Sequence, residues 1–285
     1  GVFVYDMGQN FAGLVELKVS APRGTEVHLR FAENLYEDGT INQENLRLAQ
    51  NHDIYITKGE GVETYLPRFT YHGFRYCQLE GIENATLDTI MGKVVRSAVP
   101  ITGEFTCSND LLNRIQKAVM WTEESNLHSV PTDCPQRDER QGWLNDVTVR
   151  VEETIYNFGM GAFYRKWHQD ITDEQAENGC ITDVAPRAFG SLQADPLCSI
   201  FLLVPWYTYH FFGDIKLIKD RYENMKRWQQ FLTNNSKDGI VQYSNYGDWA
   251  GPAAGCDQTH DFSALSVITP GIFVSTIFYY FNATL

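Results

Sequence analysis

Residues Pro131 to Asp146 read PTDCPQRDERQGWLND and gather groups that could move protons beside a sugar. Four acids (Asp133, Asp138, Glu139, Asp146) and two arginines (Arg137, Arg140) share the stretch with a single aromatic, Trp143. Pro131 and Pro135 stiffen the approach. A solvated surface helix spreads its charges among Ala, Lys, Glu and Leu and avoids Pro and Gly. Carboxyls for proton transfer next to an apolar plate for a sugar face are what glycoside cleavage requires. Composition alone fits a structural ion-pair cluster at a helix entrance equally well.

Helix rules give the stretch an expected geometry. Asp138 is placed to cap a helix, with Gln141 as the reciprocal partner of a capping box. Glu139, Trp143 and Asp146 then follow at i, i+4 and i+7 on one helix face. Gly142 weakens such a helix by about 1 kcal/mol relative to Ala, which points to something packed closely against the first turn. Arg140 is expected to form a structural ion pair. An acid catalyst must hold its proton near neutral pH. Neighbouring acids favour the protonated form, while arginines and a helix N-terminus favour the ionised one. The sequence does not rank these influences. Cys134 lies inside the stretch with no His close in sequence to serve as its base, so a nucleophilic role is not expected.

The remainder of the chain bounds the function class. A net charge of −13 over 285 residues argues against nucleic acid and against anionic membrane surfaces, and favours a neutral substrate. An apolar fraction of 43% and a charged fraction of 21% fit a globular protein with a sizeable core. No apolar run reaches the about twenty residues of a membrane-spanning helix. The six cysteines are scattered without a CxxC pair, so neither zinc nor redox chemistry is indicated. No cofactor is expected. Asp170, Asp173 and Glu174 read as a solvated helix face. The chain begins at Gly1 without an initiator Met and closes inside an apolar run, and is expected to be a piece of a longer protein.

Two regions must position the stretch. Residues 1–6, 14–19, 26–31, 51–57, 69–79 and 86–95 are short β-rich runs, and Pro22-Arg-Gly24 and Glu37-Asp-Gly39 are turn signals. This spacing predicts an antiparallel β-sandwich over 1–101. His72 is expected to be a structural residue of that sandwich, and 42–50 is left open between a short helix and an irregular excursion. Near residue 100 the period changes. Helices are predicted near 108–126, 140–158, 160–175, 199–212, 214–233 and 264–283, with Gly213-Asp214 as a tight corner between two of them. Paired in this way, they predict part of an (α/α)6 barrel over 102–285 rather than a compact four-helix bundle.

The motif DCPQRDERQGWLND resembles the DCPQRDERLGWxGD signature of the bacterial α-L-rhamnosidases, glycoside hydrolase family 78. YDMGQNFAGLVELKV, GTEVHLRFAE, YEDGTINQENLR and PRFTYHGFRY are similar to the sandwich preceding the catalytic barrel in that family. VPWYTYHFFGD, YENMKRW and YGDW are similar to its barrel segments. The resemblance implies hydrolysis of terminal α-L-rhamnose from an oligosaccharide, polysaccharide or glycoside with inversion, without a metal. It implies Glu139 as general acid, and Asp133, Arg137, Trp143, Asp146 and Trp249 as substrate-binding residues, with Asp248 structural. The general base of the family comes from a later segment, so the chain alone is expected to be inactive. Leu197 and Ser199 stand where the family often has a Trp and an Asp, and Asp195 is a candidate to compensate. A degenerate carbohydrate-binding relative, or a toroidal glycosidase acting on another sugar, is the alternative.

Overall fold

The computed structural model describes residues 1–249 and 269–285. They form two compact units: Gly1–Ala98 with Phe105–His128 and Thr132–Arg140, and Val99–Glu104 with Ser129–Pro131 and Gln141–Leu285.

The first unit is built on strands β1 (Val2–Val19), β2 (Glu26–Ala32), β3 (Asn34–Leu35), β4 (Ile41–Asn42), β5 (His52–Ile56), β6 (Glu63–Tyr65), β7 (His72–Glu80) and β8 (Ile90–Val94). Six of them make one antiparallel sheet in the order β5-β2-β7-β1-β6, with β8 also paired to β1. Alternate residues Val27, Leu29 and Phe31 point to one buried face and meet Val15, Leu17, Phe74, Cys77 and Leu79. The two strands expected over 1–6 and 14–19 are one. The chain stays extended between them and absorbs the extra residues as a register shift between Asp6 and Phe11 against β7. The open stretch 42–50 holds a single 3-10 turn, Glu44–Leu46. His72 is buried, stacks on Phe31 at 4.3 Å and lies 3.1 Å from the Asp53 carboxylate, a structural role as expected.

Helix α1 (Asp110–Ser125) closes this unit over β1. The Asn109 side chain accepts from the amides of Leu111 and Leu112, which sets its start. The motif loop is laid directly on β7. A Cβ at Gly73 would come 2.9 Å from the Gln136 nitrogen and Cα, so only glycine admits this approach. Asn51 Nδ2 donates to the Gln136 carbonyl at 2.8 Å and holds the loop there.

The second unit carries α2 (Leu144–Asn157), α3 (Gly161–Asp173), α4 (Ile200–Phe212), α5 (Ile215–Asn234) and α6 (Gly271–Thr284), with a small hairpin of β9 (Ser236–Lys237) and β10 (Ile240–Val241). Helix α4 lies against α2, α3 and α5, and its run Ile200–Pro205 is buried throughout. The corner at Gly213-Asp214 forms as predicted, with Asp214 accepting from the Leu217 amide at 3.2 Å. Residues 264–268 of the helix predicted over 264–283 lie outside the described residues. Among the described residues the cysteines are free thiols, and no helix is long and apolar enough to cross a membrane.

Gly73→Ala is expected to destabilise the protein by about 2 kcal/mol, because the added carbon displaces either β7 or the motif loop. Urea unfolding of the variant against the parent chain checks this.

Candidate active site

Thr132–Arg140 belongs to the first unit and is irregular throughout. The Glu139 side chain is 14% exposed, and its Oε2 lies 2.9 Å from Arg137 Nη2 and 2.9 Å from Arg47 Nη1. Cys134 completes the cluster. Its thiol donates to Asp133 Oδ2 at 2.7 Å, receives Arg137 Nε at 3.0 Å and lies 3.7 Å from Glu139 Oε2. Burial, followed by the adjoining Asp133, pushes that thiol up to about 12, so it remains protonated and is no nucleophile. The sequence-predicted Glu139, Asp133 and Arg137 are therefore brought together. Arg47 was not anticipated, although it lies in a segment already noted for its resemblance. Ligand atoms of Asp133, Cys134 and Glu139 lie within 4.8 Å of one another, a spacing a cation could use. Two guanidinium groups already occupy the Glu139 oxygen, which argues against a cation there.

The helix expected from residue 140 starts at Leu144 instead. Asp138 is exposed and caps nothing, and Glu139, Trp143 and Asp146 share no helix face. The reason lies in the second unit. Ala185 N donates to Gly142 O at 3.0 Å, Leu144 N donates to Asp183 O at 2.9 Å, and Trp143 bridges Val184 in antiparallel fashion. These bonds commit residues 142–144 to an extended path. Gly142 is required on it, because a Cβ would meet the Ala185 carbonyl at 2.4 Å and Trp167 Nε1 at 3.1 Å. Trp167 Nε1 itself donates to Ala185 O at 2.9 Å, fixing the wall from behind. Arg140 is structural, but not through an ion pair. Its Nη1 donates to Tyr71 O at 3.0 Å and its guanidinium lies 4.4 Å over the Tyr71 ring, which stacks on His128.

The second unit presents a row of rings. Trp143 meets Phe189 edge-on at 6.3 Å and Tyr246 edge-on at 5.6 Å, and Tyr246 meets Trp249 edge-on at 5.8 Å. The sequence singled out Trp143 and Trp249 as expected plates for a sugar; Phe189 and Tyr246, which join them in the row, it did not single out. Asp146 is exposed in the first turn of α2, where the helix N-terminus favours its negative charge.

Two buried acids hold this row. Asp183 Oδ2 accepts from the Tyr246 hydroxyl at 3.0 Å and its Oδ1 from Ser191 N at 2.8 Å. Asp195 is fully buried, and its Oδ2 accepts from the amides of Asn245, Tyr246 and Gly247 and from Ser244 Oγ. Asp195 thus folds the segment ending in Trp249, its fully buried carboxyl being taken up by that segment's amides rather than open to stand in for a residue at Leu197 or Ser199. Both of those residues are buried: Ser199 opens α4, and Leu197 N donates to Asp195 Oδ1 at 3.0 Å. Asp248 accepts from Thr269 Oγ1 at 3.0 Å, a structural contact. Glu174, read as solvated, accepts from Arg187 N at 2.7 Å and steadies the loop that carries Phe189.

Comparison with known proteins bears on this arrangement directly. The bacterial alpha-L-rhamnosidase concanavalin-like domain matches residues 1–96, and the bacterial alpha-L-rhamnosidase 6 hairpin glycosidase domain matches residues 100–285. The chain belongs to the bacterial alpha-L-rhamnosidase family. Its architecture is accordingly the concanavalin-like β-sandwich followed by part of an (α/α)6, six-hairpin barrel. An alpha-L-rhamnosidase of Streptomyces avermitilis is 41% identical over 253 residues, which are 87% of this chain and 24% of that protein. One from Formosa agariphila is 35% identical over 87% of this chain and 27% of its own length. The structure of alpha-L-rhamnosidase from Dictyoglumus thermophilum superposes with a TM-score of 0.92 at 43% identity, covering 99% of this chain and 31% of that one. The Streptomyces avermitilis enzyme complexed with L-rhamnose superposes with a TM-score of 0.90 at 37% identity, over 100% and 26% of the two chains. The chain thus spans about a quarter of the length of these curated rhamnosidase relatives.

Asp195→Ala is expected to cost about 3 kcal/mol in urea unfolding, since it leaves several buried amide donors without an acceptor. Asp183 supplies a pH dependence. Burial raises its carboxyl above the ordinary value of 3.8. The folded state therefore holds this proton more tightly than the unfolded chain. The contribution is complete below the unfolded pKa and is lost as pH rises through the folded one. Asp183→Asn should remove that fall, so its stability relative to the parent improves as pH rises above the ordinary carboxyl value of 3.8; unfolding curves over a pH series check it.

Proposed function

We propose that a protein of the relatives' length carrying this chain hydrolyses terminal α-L-rhamnosides with inversion at the anomeric carbon. The observation that carries this reading is the match of residues 1–96 and 100–285 to the two rhamnosidase domains, with Glu139, Arg137 and Asp133 of the motif gathered in one cluster. Glu139 protonates the glycosidic oxygen. Asp133, Arg137 and Asp146 hydrogen-bond the rhamnose hydroxyls. Trp143 and Trp249 pack on the apolar faces and the methyl side of the sugar. Dense hydrogen-bonding side chains with flat apolar plates suit a deoxy sugar, which has both polar and methyl-bearing edges. The L-rhamnose bound to the Streptomyces avermitilis structure supports rhamnose as the ligand.

An inverting mechanism needs a second carboxylate about 6.5–9.5 Å from the acid, with a water between them. That base is assigned to a segment outside residues 1–285, and the chain alone is expected to be inactive. The same proposal places the sandwich at 1–101 and the barrel segment at 102–285. The partner is a rhamnose-containing oligosaccharide, polysaccharide or glycoside, with no role for nucleic acid or a membrane.

Proton NMR of the first product from p-nitrophenyl α-L-rhamnoside should show β-L-rhamnose with the longer protein and no p-nitrophenol release with the 285-residue chain. α-L-Rhamnose as the first product would contradict inversion, and turnover by the chain alone would contradict an outside base.

A further inference from the structure

We propose that Arg47 is a positioning residue for glycoside hydrolysis: from the segment between β4 and β5 it fixes the Glu139 carboxyl, so that the proton rides on Oε1 and is aimed at the departing oxygen. The inference rests on the reading of Glu139 as general acid and adds a residue from outside the motif. The backbone at Arg47 is the first observation. Arg47 has φ 56° and ψ −114°, and Ala49 N donates to Leu46 O at 3.1 Å. That is the first central position of a tight turn of a kind that glycine dominates, so an arginine there strains the chain. Its side chain is 53% exposed, and an ion pair so placed adds little stability in return. Stability therefore does not account for the arrangement. A guanidinium held at 2.9 Å on Glu139 Oε2 bears on the chemistry instead.

The segment that carries Arg47 is built to hold it. Gln43 Nε2 donates to Phe31 O at 2.9 Å, and Phe31 N donates to Asn51 O at 3.0 Å, so both ends of 43–51 close on one residue of β2. Compact loops whose ends meet in this way are held by their own side chains. Phe31 is fully buried in the sheet core, and Leu46, next to Arg47, is fully buried as well. Asn51 Nδ2 also donates to Gln136 O at 2.8 Å, which ties the segment to the motif loop. Arg137 stands two residues from the acid on the same loop. Arg47 instead refers the acid to β2, so its hold fixes the carboxyl relative to the sheet.

The atom that delivers the proton follows from a donor count. A carboxyl oxygen has two lone pairs, and guanidinium groups only donate. Arg47 Nη1 and Arg137 Nη2, each at 2.9 Å, take both on Oε2. The transferable proton then sits on Oε1. In the transfer step the Oε1–H bond breaks and its electron pair stays on Oε1. The proton goes to the glycosidic oxygen, which keeps the pair of the cleaved bond to the anomeric carbon. A water deprotonated by the outside base attacks that carbon from the opposite face. The Glu139 carboxylate left behind is met by two cations already in place.

The test uses a protein of the relatives' length. Arg47→Met removes the guanidinium, and Arg47→Gly does so while relieving the turn, since glycine accepts a positive φ. Both variants are expected to lower kcat on methyl α-L-rhamnoside by about tenfold or more, with KM unchanged. On 2,4-dinitrophenyl α-L-rhamnoside, whose leaving group needs no proton, both should stay within about twofold of the parent. A side chain that only supports the fold would cost activity on both substrates alike. Equal losses on the two substrates, or no loss on either, overturns the role of Arg47. Glu139→Ala measured beside them keeps the two readings apart. If its loss falls on the methyl glycoside alone while the Arg47 variants behave otherwise, only the positioning role falls. If Glu139→Ala loses equally on both, the acid assignment falls and takes this inference with it.

Discussion

The extended path of Gly142, Trp143 and Leu144 against Asp183–Ala185 decides how the motif is used. Local signals favour a helix there, but a pair of backbone hydrogen bonds and a glycine pressed on a carbonyl override them. Because the helix waits until Leu144, Glu139 stays in irregular chain, where its carboxylate can meet Arg47, ninety-two residues earlier, as well as Arg137. The same bonds set Trp143 at the centre of the aromatic row. Helix propensity differs by tenths of a kcal/mol per residue, whereas a lost buried hydrogen bond costs about 1–3 kcal/mol, so the tertiary pairing prevails.

The backbone around the acid is not relaxed. Arg47 and Arg140 both have positive φ, 56° and 53°, which non-glycine residues avoid. Each is held by its side chain: Arg47 by Glu139, and Arg140 by the Tyr71 carbonyl and ring. Strain of this kind persists where surrounding contacts over-determine it, and it gathers at functional sites. In the second unit the equivalent task falls to buried carboxylates. Asp195 gathers the amides of 245–247 and Asp183 fixes the Tyr246 hydroxyl, so the row ending at Trp249 rests on carboxyl groups that do not face solvent.

Much of the fold was legible. Helix α1 was legible through its apolar spacing, and α5 through the Gly213-Asp214 corner that precedes it; the caps Asn109 and Asp214 are seen in the structure. The start of α2 was misread because Asp138 and Gln141 imitate a capping box, and nothing local reveals that residues 183–185 claim the backbone. β1 was split in two because a bulge and a turn look alike in sequence. At the site, Asp133, Arg137 and Glu139 were legible as one charged cluster, and Trp143 and Trp249 as plates. Arg47, Phe189 and the roles of Asp183 and Asp195 were not. These residues reach their partners across long stretches of sequence, and a lone acid in a loop carries no periodic signal.

The central claim is that Glu139 delivers a proton to the departing oxygen, and leaving-group dependence tests it most directly. In a protein of the relatives' length, kcat/KM of Glu139→Ala is compared with the parent on methyl and on 2,4-dinitrophenyl α-L-rhamnosides. The account predicts a loss of about 100-fold or more on the methyl glycoside, which needs protonation, and little loss on the dinitrophenyl glycoside, which does not. Equal losses on both substrates would contradict it.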